Sequence, residues 1–220
     1  MPSDYHTLLA TLQRFAEEAR TRPLTIGEAI DSIDEAAYAF IAVILALPFM
    51  QPVPLGPLTV VGGLTFGALG WQLLRGNTSP VLPRKLREVA LGEKTWRVLS
   101  HICLNILGFC RKFTKPRLTH LVSGRKGQQL GGFILLTAGL LMAIPFGILP
   151  FNNTLPALAI LFYGFAELED DGLMVIISLF WLVVTVLYFA AFFFALWHLG
   201  NGAVDLFMHS LGAKLRQAFI

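Results

Sequence analysis

The chain has 220 residues, of which 55% are hydrophobic and only 14% charged, and its mean hydropathy is +0.65. An average soluble domain carries about 25% charged residues, so this balance excludes a disordered chain, a nucleic-acid-binding module and most small soluble enzymes. The net charge of +3 conceals a strong asymmetry: residues 1–35 net −4, residues 75–126 net +10 and residues 127–220 net −3. In a soluble protein a pI near 9.0 points to nucleic acid. Here the basic block lies between apolar segments, so the positive-inside rule places residues 75–126 in the cytoplasm. The expected partner is therefore the lipid bilayer and not nucleic acid, and the chain is expected to cross it several times.

Residues 1–22 carry apolar side chains at Tyr5, Leu8, Leu9, Leu12, Phe15, Ala16 and Ala19. That spacing predicts an amphipathic helix lying on the membrane or on the rest of the protein, without the basic and apolar regions of a signal peptide. Pro23 ends it. Thr25-Ile-Gly-Glu28 reads as a capping box that opens a second helix, running past Asp31, Asp34 and Glu35 into the apolar run Ala36–Leu47. Pro48, Pro52, Pro54 and Pro57 break any helix there. A second apolar stretch, Leu58–Leu74, carries Gly62, Gly63, Gly67 and Gly70. Residues 25–76 thus form a first hairpin.

The basic connector, residues 77–126, predicts a helix from Pro83 through Arg97 that continues as an amphipathic Val98–Cys110, with Pro116 and Gly124 as later breaks. Cys103 and Cys110 are ~10 Å apart by helical rise, too far for a disulfide, and read as buried small residues in a reducing compartment.

Residues 127–172 repeat the plan: Leu130–Leu149 is apolar, a Pro150–Pro156 loop follows, then Ala157–Leu168. Aligned at an offset of 97, Leu47-Pro48-Phe49 falls on Ile144-Pro145-Phe146 and Gly67 on Gly164; with one deletion Pro54 meets Pro150 and Gly76 meets Gly172. A helix needs about 20 residues to cross a ~30 Å hydrocarbon core. These arms offer about 12 to 20, so they predict re-entrant hairpins whose tips meet within the membrane, buried in protein or lining a wet cavity. Residues 173–220 hold the one unambiguous span: Leu173–Leu199 is free of Pro and Gly and ~40 Å long as a helix, followed by an interfacial tail with Lys214 and Arg216. The expected fold is a single all-α integral membrane domain, residues 1–220, with two pseudo-repeated proline-broken hairpins, one long transmembrane helix and amphipathic interfacial helices. A homodimer is expected, because so little protein is available to bury the broken backbone.

Paired Pro/Gly-interrupted apolar segments mark a transporter binding region. The candidate solute pathway is therefore Pro54, Gly56, Pro57, Asn152, Asn153, Thr154 and Pro156, with half-helix N-termini near Pro57 and Pro156 suited to a small anion or another solute. Glu167, Glu169, Asp170 and Asp171 form a candidate cation or proton site, against a solvated interfacial loop as the alternative; Asp170 and Asp171 are also placed to cap the next helix. The five histidines are scattered, with no metal-ligand spacing, and no cofactor is expected. No catalytic triad order, phosphate loop or dinucleotide fingerprint is present, so no enzyme is expected.

At its proline loops the sequence resembles the ExoD family of bacterial inner-membrane proteins. The resemblance rests on Leu47-Pro48, Pro52-Val-Pro54-Leu-Gly56, Gln72-Leu-Leu, Leu82-Pro83, Ile144-Pro145-Phe146, Leu149-Pro150, Leu155-Pro156-Ala157 and Asp171-Gly172, over roughly residues 25–200. Val81 stands where a family Trp is expected. The resemblance implies a link to exopolysaccharide production and to tolerance of alkaline conditions, with no catalytic residues to carry over. Two functions remain in view. One is transport of a small ion or solute between the hairpin tips. The other is a non-transporting scaffold or regulator of exopolysaccharide assembly, docking anionic lipid or a partner through Arg84, Lys85, Arg87, Arg111, Lys112, Lys115 and Arg117.

Overall fold

The computed structural model describes residues 37–51, 55–81, 84–88, 114–145 and 149–218, with isolated positions between residues 14 and 31 and between 90 and 108. Most of the expected N-terminal helix, Pro54, and both cysteines lie outside the described residues. Five helices carry the described fold: α1 (Ala37–Ala46), α2 (Pro57–Leu74), α3 (Gly124–Met142), α4 (Thr154–Glu169) and α5 (Gly172–Ala218). Packing divides the chain into two compact units, Met1–Leu182 and Val183–Ile220. In the first, α2 packs chiefly on α3, and α1 and α3 both pack on α4.

Glycine brings the helices together. A Cβ at Gly63 would lie 2.5 Å from the Ala143 nitrogen and 2.6 Å from the Gly139 carbonyl oxygen, and one at Gly70 would lie 2.6 Å from the Gly132 oxygen. The facing glycines return the contact: a Cβ on Gly139 would stand 2.5 Å from the Gly67 nitrogen. The order is reversed along the two chains, so α2 and α3 are antiparallel and their backbones touch along two turns. Seams of small residues of this kind are how helices associate where lipid offers apolar side chains no advantage. On α4, Gly164 admits Val43 of α1, and Tyr163 lies across Gly131 of α3. Around these seams the core closes on Tyr38, Phe66, Leu69, Ile134, Met142 and Ile160, all buried.

The outward faces are apolar too. Leu58, Val61, Leu64 and Trp71 on α2 are each at least half exposed, as are Phe133 and Leu140 on α3. By length and composition, Pro57–Leu74 and Gly172–His198 are able to cross a membrane. Along α5, Phe180, Val183, Leu187, Phe194 and Trp197 are exposed, the face a lipid-embedded helix shows. The apolar run extends as expected, and the helix continues through Gly200 and Gly202 to Ala218, beyond the expected end.

The connector differs from the expected continuous helix. A single turn, Arg84–Arg87, gives way to a strand pair, β1 (Leu24–Thr25) against β2 (Ala90–Leu91), antiparallel with Leu24 opposite Leu91. A pairing to the N-terminal segment, which local periodicity does not encode, interrupts the helix. The acidic N-terminal segment meets the basic connector here through the Arg87–Asp31 ion pair. The capping box forms as expected: the Glu28 N–H donates to Thr25 Oγ1 at 3.2 Å, and the Thr25 N–H donates to Glu28 Oε2 at 2.9 Å. Arg22, at 2.7 Å, together with the Thr25 donors, holds the Glu28 carboxyl below the usual carboxylate range.

Two outcomes follow. Gly63→Ala should lower stability by about 1–3 kcal/mol through overpacking against backbone, whereas Gly67→Ala, whose Cβ would meet only Leu136 and Leu140 methyls at 3.9 Å, should be neutral or stabilising; thermal unfolding in detergent compares them. Because the Glu28 pKa is depressed on folding, its contribution is present above the unfolded value of 4.5 and is lost as pH falls through the lower folded value. Hydrogen exchange of the Thr25 and Glu28 amides should therefore stay slow at pH 6 and lose protection as the medium is acidified below 4.5, after correction for intrinsic rates.

Candidate functional site

The antiparallel order of α2 and α3, and of α1 and α4, puts both proline loops at one end of the bundle and the connector at the other. The first loop leaves α1 through a 3-10 turn, Leu47–Met50, whose Phe49 ring is buried against Gly62 and edge-on to Phe66 at 6.2 Å. Gly56 caps α2 at φ 57, ψ −130, backbone that a side chain would strain, and Pro57 takes the first helical position, where its missing N–H costs nothing. The second loop ends in Phe151, at φ 60, then Asn152 and Asn153. A non-glycine residue at such a φ is held there by its surroundings.

The two loops meet. Thr154 Oγ1 donates to the Gln51 carbonyl at 3.2 Å. Of the candidate pathway residues, Thr154 is therefore joined to the first loop, Asn152 and Asn153 are buried beside it in sequence, and Gly56 and Pro57 lie exposed at the start of α2. Pro156 is the third residue of α4 and not its start. The free N–H groups expected at the half-helices are largely engaged: Leu58 donates to the Leu55 carbonyl, Thr59 to Gly56, Leu155 to Phe151 and Ala157 to Asn153, and the prolines have none. What remains is the Asn153 amide. It is 2% exposed and, among the described residues, neither its nitrogen nor its oxygen has a partner, an omission that costs about 1–3 kcal/mol in a folded protein. Its backbone is helical, φ −93 and ψ −40, and makes no side-chain cap, whereas a capping asparagine is extended.

The acidic run lies at the opposite end. It does not converge with other ligands: among the described residues no group of three His, Cys, Asp or Glu is arranged to hold a metal. Asp170 turns the chain at φ 52, and Asp171, fully buried, accepts from the N–H of Leu173 at 3.0 Å and so caps α5. Asp171 also pairs with Arg117 Nε at 3.0 Å and accepts from the Lys115 N–H at 3.1 Å. Glu169 is buried, and Glu167 is hydrogen-bonded to Tyr163 one turn back.

A model of the family described as "Exopolysaccharide synthesis, ExoD" matches residues 8–191. The chain belongs to the ExoD family. Protein ExoD of Rhizobium meliloti is 28% identical over 204 residues, 92% of this chain and 84% of that protein. An uncharacterised protein of Synechocystis sp. is 26% identical over 160 residues, 73% of this chain and 74% of that one. No solved structure matches.

Two motifs of the ExoD resemblance have structural work at the connector end. The Gln72 amide clamps Val81 from both sides, accepting its N–H at 2.6 Å and donating to its carbonyl at 3.1 Å, which fixes the chain just before Leu82-Pro83. In Asp171-Gly172, the Gly172 N–H donates to the Arg117 carbonyl at 2.7 Å, and a Cβ there would meet Leu118 at 2.7 Å. Sequence reasoning left both links unseen: Arg117 was one of many bases, and Gln72 was a motif letter. A lone amide in a charge-free apolar run was the available signal. Asp171→Asn keeps a capping side chain and removes the charge, so it should cost about 1–3 kcal/mol, discounted because Arg117 is 42% exposed. Asp171→Ala should cost more, and chemical or thermal unfolding of the two variants in parallel measures the cap separately from the ion pair.

Proposed function

We propose that this ExoD-family protein is a multi-pass inner-membrane protein that moves a small solute or ion in support of exopolysaccharide production, without catalysing a reaction. The observation that carries the proposal is the junction of two proline-broken loops, within stretches 36–74 and 130–166 that carry no ionisable Lys, Arg, His, Asp or Glu, tied by Thr154 to the Gln51 carbonyl. Corresponding interrupted segments in two halves are the mark of a transporter binding region. The internal repeat is supported by helix boundaries, since α2 begins at Pro57 and α4 at Thr154, the same offset of 97 that aligns Gly67 with Gly164. It is supported also by packing: α2 on α3 and α1 on α4 are the contacts that exchanging the two hairpins would preserve. Both hairpins point the same way, so the repeats are of the parallel kind.

Re-entrant tips are favoured by length. The 16 residues of α4 span ~24 Å, short of a ~30 Å hydrocarbon core. With residues 75–126 cytoplasmic, the loops point into the membrane from that side, and a second copy of the chain would help to cover their irregular backbone. A single cysteine at Gln51, with Cys103 and Cys110 replaced by serine, is expected to react with a membrane-impermeant maleimide applied to either face of sealed vesicles. Labelling from one face alone would make the loops surface turns and would turn the assignment to a scaffold that docks through the basic connector.

A further inference from the structure

The buried, unpartnered amide of Asn153 defines the chemistry of what the loops would hold. It stands at the start of α4, next to the residue that joins the two loops, and it is neither a helix cap nor part of any hydrogen-bonded network. A group in that condition destabilises the fold unless something pairs with it, and functional sites are where such a cost is retained. A carboxamide presents an acceptor oxygen beside a donor N–H, so its complement presents a hydroxyl donor beside an oxygen acceptor.

Charge decides between neutral and ionic ligands of that shape. Residues 36–74 and 130–166 contain no Lys, Arg, His, Asp or Glu, and most of the N–H groups that would have met an anion at the helix starts are engaged. An ion brought here would lose its water with no opposite charge to face. We infer that Asn153 is the recognition group for a small uncharged solute with adjacent hydroxyls, a polyol, held where the two proline loops meet. This rests on the transport reading of the same loops and narrows its substrate class.

The test reconstitutes the full chain in proteoliposomes and follows uptake of radiolabelled erythritol and, separately, radiolabelled phosphate, alongside thermal unfolding of wild type and Asn153→Leu. Wild type should take up erythritol well above empty liposomes. The near-isosteric leucine should reduce that uptake at least tenfold while raising the thermal midpoint by about 2–4 °C, because an orphaned polar group has been removed. A lowered midpoint would show that the amide has a structural partner and would overturn the inference. Uptake of erythritol unchanged in the variant, or uptake of phosphate but not erythritol by wild type, would overturn the inference and leave transport standing. Uptake of neither solute would overturn both.

Discussion

The approach of α2 to α3 governs the rest of the first unit. Apolar side chains gain little by leaving lipid for one another, so helices in a bilayer hold together through shape, short-range contact and polar ties. The glycines at 63 and 70 against those at 132 and 139 allow backbone to lie against backbone, and dispersion between closely matched surfaces grows quickly at that range. The same seam fixes the register of the two hairpins. Once Gly63 lies beside Gly139, the beginning of α3 is beside the end of α2, where Gln128 donates to the Asn77 carbonyl at 2.9 Å, and the loops fall together at the far end.

Polar ties are concentrated where the chain leaves the bundle. Tyr38 donates from the start of α1 to the Ser79 carbonyl at 3.0 Å, Gln72 holds Val81, and Asp171 gathers Arg117, Lys115 and the cap of α5. Arg75 lies over the Trp71 ring at 4.9 Å, a cation–π contact at the end of α2. Between this end and the loops the bundle has Ser178 bonded to the Ala159 carbonyl at 2.6 Å, and otherwise mostly hydrocarbon.

Much of the helical plan was legible because proline and glycine punctuate it sharply. The expected Leu58–Leu74 differs from α2 by one residue, and the expected apolar run ends at Leu47, one residue from the end of α1. The capping box was legible for the same reason, being local. The seams were foreseen only as an excess of glycine, since which glycines face one another depends on a register set by contacts between segments about seventy residues apart. The β pairing of Leu24 with Leu91 and the ion pair of Arg117 with Asp171 are long-range in the same sense. Of the candidate site, the loops and their polar residues could be read from sequence. The orphaned state of Asn153 could not, because it is a property of the space around one amide.

The absence of charge between residues 36 and 74, and between 130 and 166, also bears on how the chain enters a membrane during synthesis. Each hairpin has ionised residues only at its two ends, so its tip can pass into hydrocarbon without carrying a charge across. On the same topology, the basic side chains at 75, 117, 125 and 126 stay behind on the cytoplasmic side. On the topology proposed above, each hairpin is a unit of insertion that enters tip first, and the glycine seam joins the two units once both have arrived.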